Sequence, residues 1–201
     1  MTAPRPDVAG VVRGARLAVD VGSVRVGLAA SDPDGLVATP VDTLARDART
    51  GAARTPTDVA RIVAEVHERR AEVVYVGLPR SLSGTEGSAA ATARAYAVLL
   101  AQAVAPVPVR LVDERMSTVS AHQALHASGR AGRRHREVVD QAAAVVILQS
   151  ALDAERVSGR RSGERVLADP AHGAGERDGV AGAAEDNGTT TARPDSKGTT
   201  T

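Results

Sequence analysis

The sequence predicts an α/β domain built on a mixed five-stranded sheet flanked by helices. Two observations predict it. Between residues 16 and 152 the apolar residues switch repeatedly between strand-like and helix-like spacing. Three strand-like runs come first and strand–helix units follow, an order that makes an antiparallel meander continued by parallel strands.

The elements follow in turn. Arg16–Val21 (RLAVDV) and Arg25–Ala30 (RVGLAA) read as strands joined by a tight Gly22-Ser23 connection. Residues 36–44 follow Asp34-Gly35, a second turn, and read as a third antiparallel strand. Residues 57–70 read as a helix, with Thr57 as N-cap and Val59, Ile62, Val63 and Val66 as its apolar stripe. Residues 72–77 (EVVYVG) are nearly all apolar, as in a parallel strand covered on both faces. Residues 88–103 are Ala-rich and helical. Residues 107–112 form a strand interrupted at Pro108, and 117–127 a helix capped by Ser117 or Thr118. A polar break at 129–136 precedes a last helix over 137–152.

Composition narrows the function. The chain has 201 residues, with 25 basic and 24 acidic, so it is not a histone-like polycation. No apolar run reaches the length of a membrane span, and the start lacks the pattern of a secretory signal. Cysteine is absent, which excludes disulfides and thiolate metal sites. A cytoplasmic protein is expected. There is no Phe or Trp, and Tyr75 and Tyr96 are the only aromatics, so nucleic acid could not be held on an aromatic stacking platform. Lys197 is the sole lysine; Arg suits phosphate recognition, though a GC-rich coding bias gives the same composition.

Residues 1–150 carry 18 basic and 15 acidic residues, against 7 and 9 in residues 151–201. Beyond Leu152 the large aliphatic residues are Val157, Val166, Leu167 and Val180 alone. Such a segment buries too little apolar surface to offset chain entropy. The expected organisation is a loose leader at 1–14, one domain over 15–153 and a disordered tail at 154–201. Truncation after Leu152 is then expected to leave stability almost unchanged.

In three segments acids stand where acids are not expected. Asp20 interrupts the apolar run of the first strand, and Gly22 beyond it permits close backbone approach. Asp113 and Glu114 end a strand, where ligands gather in open α/β sheets. Asp140 begins a helix whose continuation, 142–148, is wholly apolar. Singly, each has a structural explanation: a turn cap for Asp20, an ion pair for Glu114, the helix dipole for Asp140. Jointly they suit one purpose. Carboxylates gathered in a core repel unless neutralised, and a pair of Mg²⁺ or Mn²⁺ ions neutralises them while clamping a phosphodiester for attack by water.

The run Asp20-Val-Gly22-Ser-Val-Arg25-Val-Gly27 resembles the first motif of the YqgF family, RuvC-like Holliday junction resolvase-type proteins also proposed as pre-16S rRNA nucleases. Val76-Gly77-Leu78-Pro79 with Gly84 resembles its second motif. Asp113-Glu114-Arg115-Met-Ser117-Thr118 resembles the third and Val139-Asp140-Gln141-Ala142-Ala143 the fourth. The four lie in family order across roughly residues 16–152. The resemblance implies a ribonuclease H-like fold with Asp20, Glu114 and Asp140 as catalytic, metal-binding acids and Asp113 as an alternate ligand. It also places Arg25 and Arg115 near the site, on phosphate or in salt bridges holding the acids apart. Gly77 and Pro79 are expected to turn the chain out of a buried strand. The segment 80–87 either covers substrate or simply connects.

The chain also departs from the family pattern. Position 24 is Val where many relatives carry Lys. Arg133, Arg134 and Arg136 stand where Lys is frequent before Asp140, and Glu137 adds a negative charge or a further ligand. The basic segment 130–136, with those three arginines, is the candidate nucleic-acid surface, or a solvated loop.

The resemblance thus implies a metal-dependent nuclease acting on structured RNA or branched DNA, with processing of the pre-16S rRNA 5′ end in ribosome biogenesis preferred and the pre-ribosome as a partner. Holliday junction resolution is the alternative. It needs paired active sites, and the shortage of large aromatics offers no anchor for a dimer, although the oligomeric state stays open. A non-catalytic nucleic-acid-binding factor is a further alternative. An ATP-binding domain of the sugar-kinase and actin type shares the Asp-x-Gly start but needs a second lobe, for which this chain is too short.

Overall fold

The computed structural model describes residues 11–47, 54–81, 83–116 and 133–168, with the side chains of 116 and 133–141 outside that set. The first strand, β1 (Arg16–Val21), pairs antiparallel with β2 (Arg25–Ser31), Asp20 opposite Gly27. Between them the Gly22 N–H donates to the Arg25 carbonyl at 2.9 Å, closing the expected tight connection. β3 (Ala38–Ala45) adds antiparallel to β2 and begins two residues later than expected. Asp32 is the reason. Its carboxylate accepts the N–H groups of Asp34, Leu36 and Val37, keeping residues 32–37 in a turn with Gly35 at φ +67°.

The helix α1 (Thr57–Glu68) starts at Thr57, so Thr57 is not the N-cap; its N–H instead reaches Asp47 Oδ2 at 3.3 Å. Arg70, at φ +51°, ends the helix and turns the chain into β4 (Val73–Leu78). Next come α2 (Ser88–Ala103) and β5 (Val109–Asp113), and β4 lies parallel to both β1 and β5. A single 3-10 turn, Glu114–Met116, leaves β5. The helix expected over 117–127 lies outside the described residues. The last helix, α3 (Arg133–Ser158), starts earlier and ends later than expected.

The strand order is β3-β2-β1-β4-β5, the ribonuclease H-like arrangement of an antiparallel meander beside parallel strands, followed by one strand more. This is β6 (Glu164–Arg165), antiparallel to β5, which makes the sheet six-stranded instead of five-stranded. Gly163, at φ +76°, lies so close to the Leu111 carbonyl that a Cβ would come within 2.2 Å of it, and Val166 N–H donates to the Val109 carbonyl. The sheet therefore includes residues past the tail boundary expected at 153, through β6 and Val166. Charge pairing, which the apolar count does not register, holds this extension.

Strand alternation divides the core between the two faces of the sheet. Leu17, Val19, Val74, Val76 and Leu111 face α1 and α2, packing on Ile62, Val66 and Leu100. Ala18, Ala29, Tyr75 and Val112 face α3, packing on Ala144, Ile147, Leu148 and Ala151. Among the described residues no helix is long and apolar enough to cross a membrane.

Candidate active site

The site follows from that alternation. Two residues beyond Ala18, Tyr75 and Val112, on the same face of the sheet, come Asp20, Gly77 and Glu114. β1, β4 and β5 are parallel, with Val19 opposite Val76 and Gly77 opposite Val112, so the three positions gather at the C-terminal ends of adjacent strands. Gly77 is the space between the acids. A Cβ there would lie 2.6 Å from Glu114 Oε1 and 2.6 Å from Ile147 Cδ1. Gly77 does not turn the chain out of the strand, as expected from sequence. It lies inside β4 and lets a carboxylate and an α3 side chain close over its backbone.

Burial, then the charges of Asp20 and Asp113, push the Glu114 carboxyl up to about 7. A carboxyl so placed is costly to ionise until a cation arrives. Asp20 is half-buried beside it. Asp140 occupies the helical register of Ala144, Ile147 and Ala151, the stripe of α3 that packs on this face. Its side chain lies outside those described, as do those of Glu137, Arg133, Arg134 and Arg136. Among the described residues no group of three or more His or acidic side chains is arranged to hold a metal ion.

The other expected site residues fall into two groups. Alternation along β2 puts Arg25 on the same face as Gly27 and Ala29, the face of Asp20. Asp113 and Arg115 are brought together elsewhere on the rim. Arg115 holds the Asp113 carboxylate with Nε at 3.0 Å from Oδ1 and Nη2 at 2.6 Å from Oδ2, while its own N–H donates to Oδ1 at 3.0 Å. This fork holds the Asp113 carboxyl below the usual range. Here Arg115 pairs with an acid, the second of the two placements expected for it.

Arg80 was not singled out by the sequence. Its Nη1 lies 3.6 Å from Asp113 Oδ2, and its Nη2 lies 2.6 Å from Glu86 Oε1. The available signal was a cation directly after Pro79, at the end of the strand next to β5.

A ribonuclease H-like sheet with carboxylates at the ends of its parallel strands defines the class of this protein. The chain belongs to the RuvX family, described as Holliday junction resolvase, whose model matches residues 14–154. A Kineococcus radiotolerans protein named "Putative pre-16S rRNA nuclease" is 58% identical over 157 residues, covering 78% of this chain and 80% of that one. A Streptomyces avermitilis protein of the same name is 54% identical over 158 residues, covering 78% and 97%. Among solved structures, one titled "T. thermophilus RuvC in complex with Holliday junction substrate" matches at a TM-score of 0.44 and 17% identity, covering 74% of this chain and 98% of that chain.

Proposed function

We propose that this chain is a metal-dependent nuclease of the cytoplasm that hydrolyses phosphodiesters and processes the 5′ end of pre-16S rRNA in ribosome biogenesis. Family membership and the name shared by its relatives support the reading. The observation that carries it is the Asp20–Glu114 pair across Gly77. A carboxyl raised to about 7, by its burial first and by the neighbouring Asp20 charge second, is a poor arrangement for stability and a good one for a hard cation.

The donors fit Mg²⁺ or Mn²⁺: oxygen ligands only, partly desolvated, in a cradle that a Cβ at position 77 would fill. Asp20, Glu114 and Asp140 would hold the ions, two in number, and Asp113 is less suited because Arg115 already engages both its oxygens. When bound, the metal pair supplies an activated water and stabilises the leaving oxygen. The chain's own task is positional. Glu114 would have to be ionised to hold a cation, α3 covers the face through Ile147, and Arg25 and Arg115 would orient the phosphate backbone. Arg133, Arg134 and Arg136 extend the cationic surface along the substrate.

The test is cleavage of a pre-16S rRNA 5′ extension, single-stranded RNA, a four-way DNA junction and duplex DNA. Each is run with Mg²⁺, Mn²⁺ or chelator, beside Asp20→Asn. Metal-dependent cutting of the rRNA extension, lost in the variant, is expected. Preference for the junction would transfer the assignment to the resolvase activity described for the family. Silence on every substrate, with metal bound, would overturn the nuclease reading in favour of a binding factor.

A further inference from the structure

Beside the acid pair lies a chain of alternating charges, of which the proposed function uses Arg115 alone. Arg115 and Arg80 both address Asp113 Oδ2, at 2.6 and 3.6 Å. Arg80 is held from behind by Glu86, whose Oε1 accepts from its Nε at 3.1 Å and its Nη2 at 2.6 Å. Arg94 in turn forks Glu86, with Nε 2.7 Å from Oε2, and grips Glu164 of β6, with Nη1 3.0 Å from Oε1. Gly84 rests against the other guanidinium: a Cβ there would lie 3.3 Å from Arg115 Nη1.

This arrangement has a direction. Glu86, fixed by Arg94, orients the Arg80 guanidinium so that Nη1 points at Asp113. Arg115 comes to the same oxygen from the opposite end of the adjoining turn. Two guanidinium groups converging on one carboxylate oxygen form an anion site, filled here by a side chain of the protein itself. The filling is exchangeable. The side chains of Asp113, Arg80 and Arg115 are 21, 28 and 38% exposed, and ion pairs so open to water add little stability. Asp113 also directly precedes Glu114, so the anion site adjoins the acid pair.

We propose that Arg80 and Arg115 form a phosphate-binding fork beside the acid pair, and that Asp113 is its internal competitor, displaced when a nucleic-acid backbone phosphate enters. The proposal rests on the nuclease reading, since it names how that site takes its substrate. Asp113 then regulates access and is not a metal ligand, and Glu86 and Arg94 are positioning residues that hold Arg80 ready. RNA and DNA offer the same phosphodiester, so the fork contributes affinity without choosing between them.

The test measures binding in chelator, where no metal is available to confuse the role of Asp113. Fluorescence anisotropy follows a labelled single-stranded RNA and a labelled four-way DNA junction, titrated with the full chain over a range of salt. Asp113→Asn is expected to bind the RNA on the order of five-fold more tightly at low salt, with a steeper dependence on salt. Arg80→Gln is expected to bind more weakly, its log–log salt slope shallower by about 0.7, the value of one single-strand phosphate contact. Arg80→Lys keeps the charge and should keep the slope, which a merely structural role would not require. Melting curves of each variant confirm folding.

Binding by Asp113→Asn no tighter than the parent, or an unchanged slope in Arg80→Gln, would overturn the proposal while leaving the nuclease reading intact. If neither parent nor Asp113→Asn binds either probe, the fork falls, and the nuclease reading is then decided by the cleavage assay with metal. An effect confined to the junction would keep the fork and reassign its substrate to DNA.

Discussion

Glu114 Oε1 lies over the backbone of Gly77, so close that a single added methyl group would come within 2.6 Å of it. The same methyl would come within 2.6 Å of Ile147 Cδ1. Both atoms are the ends of side chains and can move aside, so Gly77→Ala should cost only about 1 kcal/mol of stability, the low end for overpacking. The displaced carboxylate would no longer face Asp20 at its proper distance. Gly77→Ala is expected to lose activity on the order of a hundred-fold, because small misplacements at a reacting centre cost that much. Kinetics beside a melting curve check this. Retained activity would show that the Glu114 position is not what the site depends on.

The raised carboxyl of Glu114 makes the site a source of instability in the absence of metal. The sign follows from proton counts. Between the ordinary value of 4.5 and about 7 the folded protein holds a proton that the unfolded chain has released. Metal-free protein should therefore lose stability as pH rises through that window and level off above it. Glu114→Gln, which cannot ionise, should abolish this slope and melt higher than the parent at pH 8 in chelator. Added Mn²⁺ should raise the parent's melting temperature more than the variant's. Thermal melts from pH 5 to pH 8, with and without metal, decide it; a parent that gains stability across the window would refute the assigned cause.

How much of this was legible depends on the range of the interaction that fixes each residue. β1, β2, β4 and β5 were visible because alternation and apolar runs are local. The stripe of α3 was visible because Ala144, Ile147 and Leu148 repeat at helical spacing. Asp20 and Glu114 stood out as acids at strand positions, and the alternation that made them anomalous is what sets them on one face. The space at Gly77 was not legible, because its cause is a contact between β4, the end of β5 and α3. Nor was the ring of charges around Asp113. It depends on Arg80 and Glu86 meeting a residue of the neighbouring strand, a proximity set by sheet order.

The clearest failure of local reading is Arg16, a charged residue opening the first strand yet only 4% exposed. Its partner is Glu155, also 4% exposed, whose Oε2 accepts from Arg16 Nε at 3.3 Å. No pattern along the chain announces a pair 139 residues apart. Glu155 also accepts from the Tyr75 hydroxyl and from Arg161 Nη1 at 3.0 Å, so one carboxylate ties β1, β4 and the segment after α3 together. Burial of Tyr75, and the charge of Glu155 beside it, push the phenol well above its usual range.

That network reverses the expectation for the C-terminal segment. Glu155→Ala would leave the Arg16 guanidinium buried without its counter-charge and the Tyr75 hydroxyl without its acceptor. Removing one partner of a buried pair costs about 3–5 kcal/mol, or about ten degrees of melting temperature in a domain of this size. Truncation after Leu152 should cost at least as much. It also removes β6 and the Ser162 and Gly163 carbonyls that accept from Arg110 at 2.6 and 2.7 Å. Truncation after Ala168 should shift the melting temperature by no more than about 2 °C, since Val180 is the only large aliphatic residue beyond it. Calorimetry of the full chain, both truncations and Glu155→Ala separates these outcomes. A truncation at 152 that melts with the full chain would show that the buried pair contributes nothing, because Arg16 would then tolerate burial alone.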